Sequence, residues 1–266
     1  MSFINKNPEI IKEVVEISKK ASRSILEIYE EELSEYEIKS DSTPLTQADI
    51  SSHRIIDKGL KKITPEIPIL SEEGSNIPFE VRSNWGEYWL IDPLDGTKEF
   101  IKRNGEFTVN IALIRNNKPI FGVINIPVEN QIYWGAKGLG SYVIDNDKEP
   151  RKIQVNTRNN KKIRILTSRS HAVNENLILK KLENYEIVRA GSSLKFCLIA
   201  SGIADIYPRF GPTSEWDIAA GHAILESAGG IIVDMNKKQI EYNKKASYIN
   251  NNFIACSTPQ LFDLIN

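Results

Sequence analysis

WLIDPLDGTKEF, residues 89–100, is an apolar run suited to a sheet interior that ends abruptly in two aspartates separated by a proline and a leucine. Trp89 to Ile91 reads as a buried strand. Asp92-Pro93-Leu94-Asp95-Gly96-Thr97 reads as a tight turn enforced by Pro93 and Gly96, and the residues from Lys98 onward as a helix. On a continuing strand Asp92 and Asp95 would face opposite sides, whereas a turn lets two carboxylates three residues apart converge on one point. Converging carboxylates repel one another unless a cation sits between them. Ligands that are all oxygen select hard cations. Mg²⁺ is the natural occupant, and it keeps positions open for water and phosphate oxygens. The amides of Gly96 and Thr97, at the mouth of the following helix, suit an anion. Metal and anion together point to phosphate chemistry. The same residues also suit an ordinary solvated turn in which Asp and Thr cap a helix.

Composition sets the frame around this stretch. The 266 residues, 41% hydrophobic, can bury a substantial core in one large domain or two smaller ones. A formal net charge of -1, from 34 Lys+Arg against 35 Asp+Glu, gives no overall electrostatic case for nucleic acid or an anionic membrane. Cys197 and Cys256 are too few for a disulfide framework or a cysteine-based zinc site. MSFINKNPEI contains no basic segment leading into an apolar signal core, and no apolar run approaches membrane-spanning length. The expectation is a cytoplasmic protein with no nucleic acid partner and no transmembrane segment.

Outward from the turn, Ile10, Ile11, Val14, Val15, Ala21, Ile25 and Leu26 recur at helical spacing and predict a helix from Pro8 to about Glu31. A second helix is predicted from Gln47 to Lys62, capped by Thr46. Ile69 and Leu70 lead into the acidic turn SEEG. Phe107, Val109, Ile111 and Leu113 alternate as in a strand, and RNNKP turns the chain back into IFGVINI. The polar stretch from Asn146 to Lys162 suggests a boundary. Residues 1–160 then read as antiparallel sheet plus helices, and 161–266 as an α/β subdomain. In the latter, IRILTS, EIVRA, ADIYPRF and GIIVD alternate with helices near 174–183, 193–201 and 215–228.

Three more acidic spots stand out. Glu72-Glu73 follows apolar residues in ILSEEG. Asp217 opens a helix whose Ala219, Ala220, Gly221 and Ala223 permit close backbone packing. Asp49 stands three residues after Thr46. Each also has an ordinary role, as a solvated turn, a helix-dipole partner or a capping box.

Taken in order, DSTPLTQAD, LSEEG, WLIDPLDGTKEFIKRNGEFTVNIAL, GSSLKFC and RFGPTSEWDIAAGHAILESAGG resemble the lithium-sensitive, Mg²⁺-dependent phosphatase superfamily of inositol monophosphatases and bisphosphate nucleotidases. The longer wording is similar to its bacterial CysQ-type 3'(2'),5'-bisphosphate nucleotidases. The resemblance implies a mixed α/β (α+β) fold, a layered αβαβα sandwich, with most metal ligands in residues 1–160 and substrate recognition in 161–266. It implies two Mg²⁺ ions, with a weaker third near Glu72 and Glu73 left open. Glu72, Asp92 and the Leu94 carbonyl hold one ion; Asp92, Asp95 and Asp217 hold the other. Thr97 orients the attacking water, with Asp49 accepting from its hydroxyl, and Glu72, Asp49 and Thr97 form the catalytic set. Gly96 joins Leu94, Asp95, Thr97 and Asp217 around the phosphate that is cleaved. His171, Ser192, Lys195 and Arg209 meet the rest of the nucleotide. The implied reaction is hydrolysis of adenosine 3',5'-bisphosphate to AMP and phosphate, clearing a by-product of sulfate assimilation; the sulfated nucleotide is a second candidate substrate. An inositol monophosphatase or sugar bisphosphatase of the same fold, and a noncatalytic cation- or nucleotide-binding module, are the alternatives. Monomer and homodimer are both compatible, as is peripheral attachment at the cytoplasmic face of the inner membrane.

Overall fold

The structure is a computed structural model describing residues 8–30, 36–38, 44–74, 77–157, 162–169 and 184–263, with only the backbone described at 36–38 and 44–46. Helix α1, Glu9–Glu30, follows Pro8 and buries the apolar stripe expected of it apart from Leu26, which is half-buried. A short antiparallel hairpin, β1 (Tyr36–Ile38) and β2 (Pro44–Thr46), leads into α2, Gln47–Ile63. The expected Thr46 cap lies outside the described side chains. Then come β3 (Ile69–Ser71), α3 (Phe79–Arg82), β4 (Glu87–Asp95) and α4 (Thr97–Ile101). A meander follows: β5 (Thr108–Arg115), β6 (Lys118–Ile126), β7 (Gln131–Ala136), β8 (Gly140–Asp145) and β9 (Arg151–Ile153). Asn116 and Asn117 turn β5 into β6, both with positive φ (49° and 62°), the conformation a two-residue hairpin needs and asparagine tolerates.

The second half contains β10 (Ile163–Ser168), β11 (Tyr185–Ala190), α5 (Leu194–Ala200), β12 (Ile206–Arg209) and α6 (Glu215–Ser227), then β13 (Ile231–Asp234), β14 (Phe253–Cys256) and α7 (Pro259–Asp263). The helix expected near 174–183 lies outside the described residues. Strands β3 to β9 form one sheet in chain order, antiparallel apart from the parallel β3–β4 pair. The other sheet runs β11-β10-β12-β14-β13. Helices α1 and α2 cover one face of the larger sheet, α5 and α6 lie between the sheets, and α7 packs on β14 beyond the smaller sheet. This is the expected αβαβα layering.

The larger sheet is therefore buried on both faces. All of β5 except Arg115 is buried, so its residues do not alternate apolar-in and polar-out. Two core clusters sandwich it: α1 and α2 with Trp89, Ile91 and Phe121 on one side, and α5 and α6 with Leu90, Ala112 and Ile124 on the other. The second cluster takes residues from both halves of the chain, which fastens β10–β14 to the meander.

Close approach of α6 explains its small residues. A Cβ on Gly122 of β6 would lie 2.4 Å from the Ala220 carbonyl oxygen, and one on Gly221 would lie 2.4 Å from the Phe196 ring. Gly122→Ala must push the helix off the sheet. It is expected to cost about 1–3 kcal/mol, the usual range for overpacking. The test is a lowered urea midpoint at unchanged m-value.

Candidate active site

The sheet brings Asp92 and Asp95 to one side by a bulge. The chain was expected to leave the sheet at Asp92, but β4 continues to Asp95. Asp92 pairs with Asn110 and Asp95 with Thr108, so three steps along β4 match two along β5. One extra residue restores the parity that a regular strand would deny to positions i and i+3. Pro93 falls inside the bulge, where its missing N–H costs no ladder bond, and its carbonyl accepts from Ser52 Oγ at 2.7 Å. Gly96 then turns the chain with φ 93°, and a Cβ there would meet the Glu106 carbonyl and the Ser192 side chain at 3.3 Å. Thr97 starts α4 one residue earlier than expected.

A cavity of about 280 Å³ opens at this point. Glu72, Asp92, Leu94, Asp95, Gly96, Thr97 and Asp217 are among the residues that line it. Asp92 is 1% exposed. Its carboxyl is held well above the usual range, first by burial and then by the charges of Glu72, Asp95, Asp217 and Asp49. Asp217 is raised for the same reasons, by burial and then Asp95 and Glu72. Burial also raises Asp95, while hydrogen bonds from Ser192 and Ser193 and the charge of Lys195 pull it back. Asp49, buried at the start of α2, acts on the same cluster.

Several of these oxygens are already oriented. Asp92 Oδ1 accepts from the Leu94 N–H at 3.2 Å. Asp95 Oδ2 accepts from Ser192 Oγ and the Ser193 N–H, both at 2.7 Å. Asp217 Oδ2 accepts from the Ser214 N–H at 2.9 Å in a capping box, so the acid caps α6 and faces the cavity at once. Among the described residues no three His, Cys, Asp or Glu side chains are already closed into a cage for one ion. The acids do share one cavity and repel one another, and every donor is a hard oxygen. That set fits divalent cations such as Mg²⁺, with each aspartate fixed at one oxygen and the other left to coordinate.

The rest of the lining is mainly basic and hydroxylic. Ser168, Arg169, Ser192, Lys195 and Arg209 belong to it, as do Lys98 and Tyr207. Lys195 is buried, donates to the carbonyls of Ala190 and Ser192 at 3.2 and 2.6 Å, and stands over the Tyr207 ring. Burial pushes its ammonium down to about 8, against the pull of Asp95. Arg209 donates to Ser168 Oγ and the Pro212 carbonyl, both at 2.9 Å, while its buried Nε has no protein partner among the described residues. His171 lies outside the described residues.

Sequence reasoning missed the layer behind Asp95. Thr108 Oγ1 lies 2.6 Å from Ser192 Oγ and 2.8 Å from Ser193 Oγ, and Ser193 Oγ donates to Asn110 Oδ1 at 2.7 Å. The available signal was a pair of polar residues, Thr108 and Asn110, in the otherwise apolar FTVNIAL. Arg169 and Glu106 were missed as well; they form a bidentate ion pair at the rim.

Residues 6–266 match the inositol monophosphatase family. The chain belongs to that family. It is 45% identical over 246 residues to the 3'(2'),5'-bisphosphate nucleotidase CysQ of Salmonella typhimurium, covering 92% of this chain and 98% of that one. The CysQ nucleotidase of Buchnera aphidicola is 43% identical over 93% of both chains. Among solved structures, CysQ from Bacteroides thetaiotaomicron, a bacterial member of the family, superposes with a TM-score of 0.82 at 39% identity over 92% of this chain and 96% of that one. The Thermotoga maritima inositol monophosphatase shares the fold at TM-score 0.78 and 21% identity, covering 97% of both chains. Members of the family are metal-dependent phosphatases, in keeping with the acidic cluster. No helix among the described residues is long and apolar enough to cross a membrane.

Proposed function

We propose that this chain is a 3'(2'),5'-bisphosphate nucleotidase that hydrolyses adenosine 3',5'-bisphosphate to AMP and phosphate, and that it also accepts the sulfated nucleotide. One observation carries the reading: a single cavity is lined both by acids suited to divalent cations and by a buried Lys195 and an Arg209 with a spare Nε. Such a cavity suits a substrate with two phosphates, one cleaved and one only gripped. The similarity to CysQ nucleotidases supports the same choice.

In this reading Glu72, Asp92 and the Leu94 carbonyl would hold one Mg²⁺, and Asp92, Asp95 and Asp217 would hold the other. When bound, the cations supply the charge that eases deprotonation of water and departure of the ester oxygen. Thr97, in the first turn of α4, orients the attacking water. Asp49 accepts from the Thr97 hydroxyl and draws the proton away from the line of attack. Glu72, whose charge acts on Asp92, completes the catalytic set. Ser192, Lys195 and Arg209 bind the phosphate that stays, with His171 as a further contact. Residues 1–160 thus supply most of the reaction centre and 161–266 most of the recognition. Placement in the cytoplasm belongs to the same proposal.

Lys195 gives the proposal a pH signature. The gripping form is the ammonium, and its value of about 8 in the fold lies below the ordinary 10.5. Folding therefore disfavours the charged form: protonated Lys195 costs stability below about 8, and the cost fades as pH rises toward 10.5. Binding has the opposite dependence, since deprotonation removes the charge. The kcat/KM for the bisphosphate should fall as pH rises through about 8, while Lys195→Met is lower overall and flat across that window.

The direct test is phosphate release from adenosine 3',5'-bisphosphate, inositol 1-phosphate and fructose 1,6-bisphosphate at fixed Mg²⁺. A preference of about 10² or more for the nucleotide is expected, equivalent to a few kcal/mol of recognition. Preference for inositol or sugar phosphates would reassign the chain within its family. Mg²⁺ binding without phosphate release from any of the three would make it a binding module.

A further inference from the structure

We propose that the Arg169–Glu106 ion pair is a clamp positioning residues 189–193, and through them both Asp95 and Lys195 in the cavity lining. The inference rests on the reading of Asp95 as a metal ligand and Lys195 as a phosphate contact. Glu106 Oε2 accepts from Arg169 Nε at 2.7 Å and from the Gly191 N–H at 2.8 Å, and Oε1 accepts from Arg169 Nη2 at 2.6 Å. Arg169 Nη2 also donates to the Arg189 carbonyl at 3.3 Å. One ion pair thus holds the segment at two successive points. A Cβ on Gly191 would lie 2.8 Å from the Glu106 carbonyl oxygen and 2.9 Å from its Cβ, so the segment is seated flush against Glu106.

The segment contacts both residues. Its Ser192 Oγ and Ser193 N–H fix Asp95 Oδ2, and its Ala190 and Ser192 carbonyls accept from Lys195 Nζ. Ser192 makes these contacts with φ 48°, a left-handed conformation that a non-glycine residue keeps only when its surroundings over-determine it. The Thr108 hydroxyl holds Ser192 from below, and the Glu106 carboxylate holds Gly191 immediately before it. The ion pair is bidentate, and the Glu106 side chain is sheltered at 18% exposure against 46% for Arg169. Such a pair keeps its geometry better than a single-contact surface bridge does. Glu106 and Arg169 are positioning residues that act on the metal site through hydrogen bonds to Gly191 and Arg189, in the segment that carries the Ser192 and Ser193 partners of Asp95.

Outer partners of metal ligands typically cost tenfold or more in metal affinity when removed. Ser192 and Ser193 are such partners and Glu106 acts one step behind them, so Glu106→Ala should weaken Mg²⁺ binding, measured calorimetrically without substrate, by several-fold, up to about tenfold, and raise KM for the bisphosphate together with it. Glu106→Gln keeps an acceptor for the Gly191 N–H and should recover most of the Mg²⁺ affinity. Arg169→Met should fall between the two. Mg²⁺ affinity and KM unchanged in folded Glu106→Ala overturns the clamp. If that variant does not fold, the same result in folded Arg169→Met does so. Wild-type protein that binds Mg²⁺ yet does not cleave the bisphosphate removes the nucleotidase reading, and the Mg²⁺ titrations of the variants still decide the clamp.

Discussion

Asp92→Asn and Asp95→Asn are each expected to lower kcat for the bisphosphate by about 10³ or more, because losing a cation ligand removes several kcal/mol of transition-state stabilisation. The same substitutions should stabilise the metal-free protein. Asp92 is buried with its carboxyl held well above the ordinary range. Its folded form thus binds a proton more tightly than its unfolded form, and the stability this contributes is present below the unfolded value of 3.8 and lost as pH rises through the folded one. Asparagine cannot ionise, yet its side-chain oxygen can still accept from the Leu94 N–H as Asp92 Oδ1 does. In chelator at neutral pH, Asp92→Asn should melt above the wild type, and the difference should vanish near pH 3. Wild-type turnover in either variant at the same Mg²⁺ would remove the two-metal reading. A lower melting temperature at neutral pH would show that burial of these acids does not strain the fold.

Arg209→Ala carries the second large effect. Arg209 is tied to Ser168 and Pro212 by its Nη atoms while its buried Nε has no protein partner among the described residues, an arrangement that fits a fork held ready for an anion. Losing a charge-assisted contact of a few kcal/mol should lower kcat/KM for adenosine 3',5'-bisphosphate by about 10². Arg209 also lowers the Asp217 carboxyl by its charge, so a monophosphate should lose some activity as well. The decisive quantity is the ratio of the two activities, which should collapse. An unchanged ratio would mean that Arg209 serves the acidic cluster alone, and the substrate assignment would then rest on the CysQ similarity.

The elements that sequence pattern located are those whose signals are local. Helices α1 and α2, the apolar body of β4, the Asn-rich turn into β6 and the small-residue face of α6 all follow from spacing and turn chemistry within a dozen residues. Strands β7, β8, β9 and β14 are not legible in the sequence: β14 is buried throughout and has no polar face, while β7, β8 and β9 are short and mix glycine, polar and apolar residues without clean alternation. The acids were legible as a set only because their flanking words match a family. Taken one by one, Asp217 is indistinguishable from a helix cap, and in the structure it is one.

What the sequence by itself determined is the inventory: acids at the ends of apolar segments, basic and hydroxyl groups in the second half, and the family. Tertiary structure alone decided how they meet. A one-residue bulge, fixed by pairing with β5 and invisible to any count along β4, places Asp92 and Asp95 on one face. Burial raises their carboxyls, because desolvation depends on what the fold packs around them and not on neighbours in sequence. The hydroxyl layer behind Asp95 joins Thr108 and Asn110 to Ser192 and Ser193, more than 80 positions away, and the Arg169–Glu106 clamp spans 63. Pairings at such separations are set when the two sheets close on α5 and α6, since only that closure brings the meander and the second half within hydrogen-bond reach.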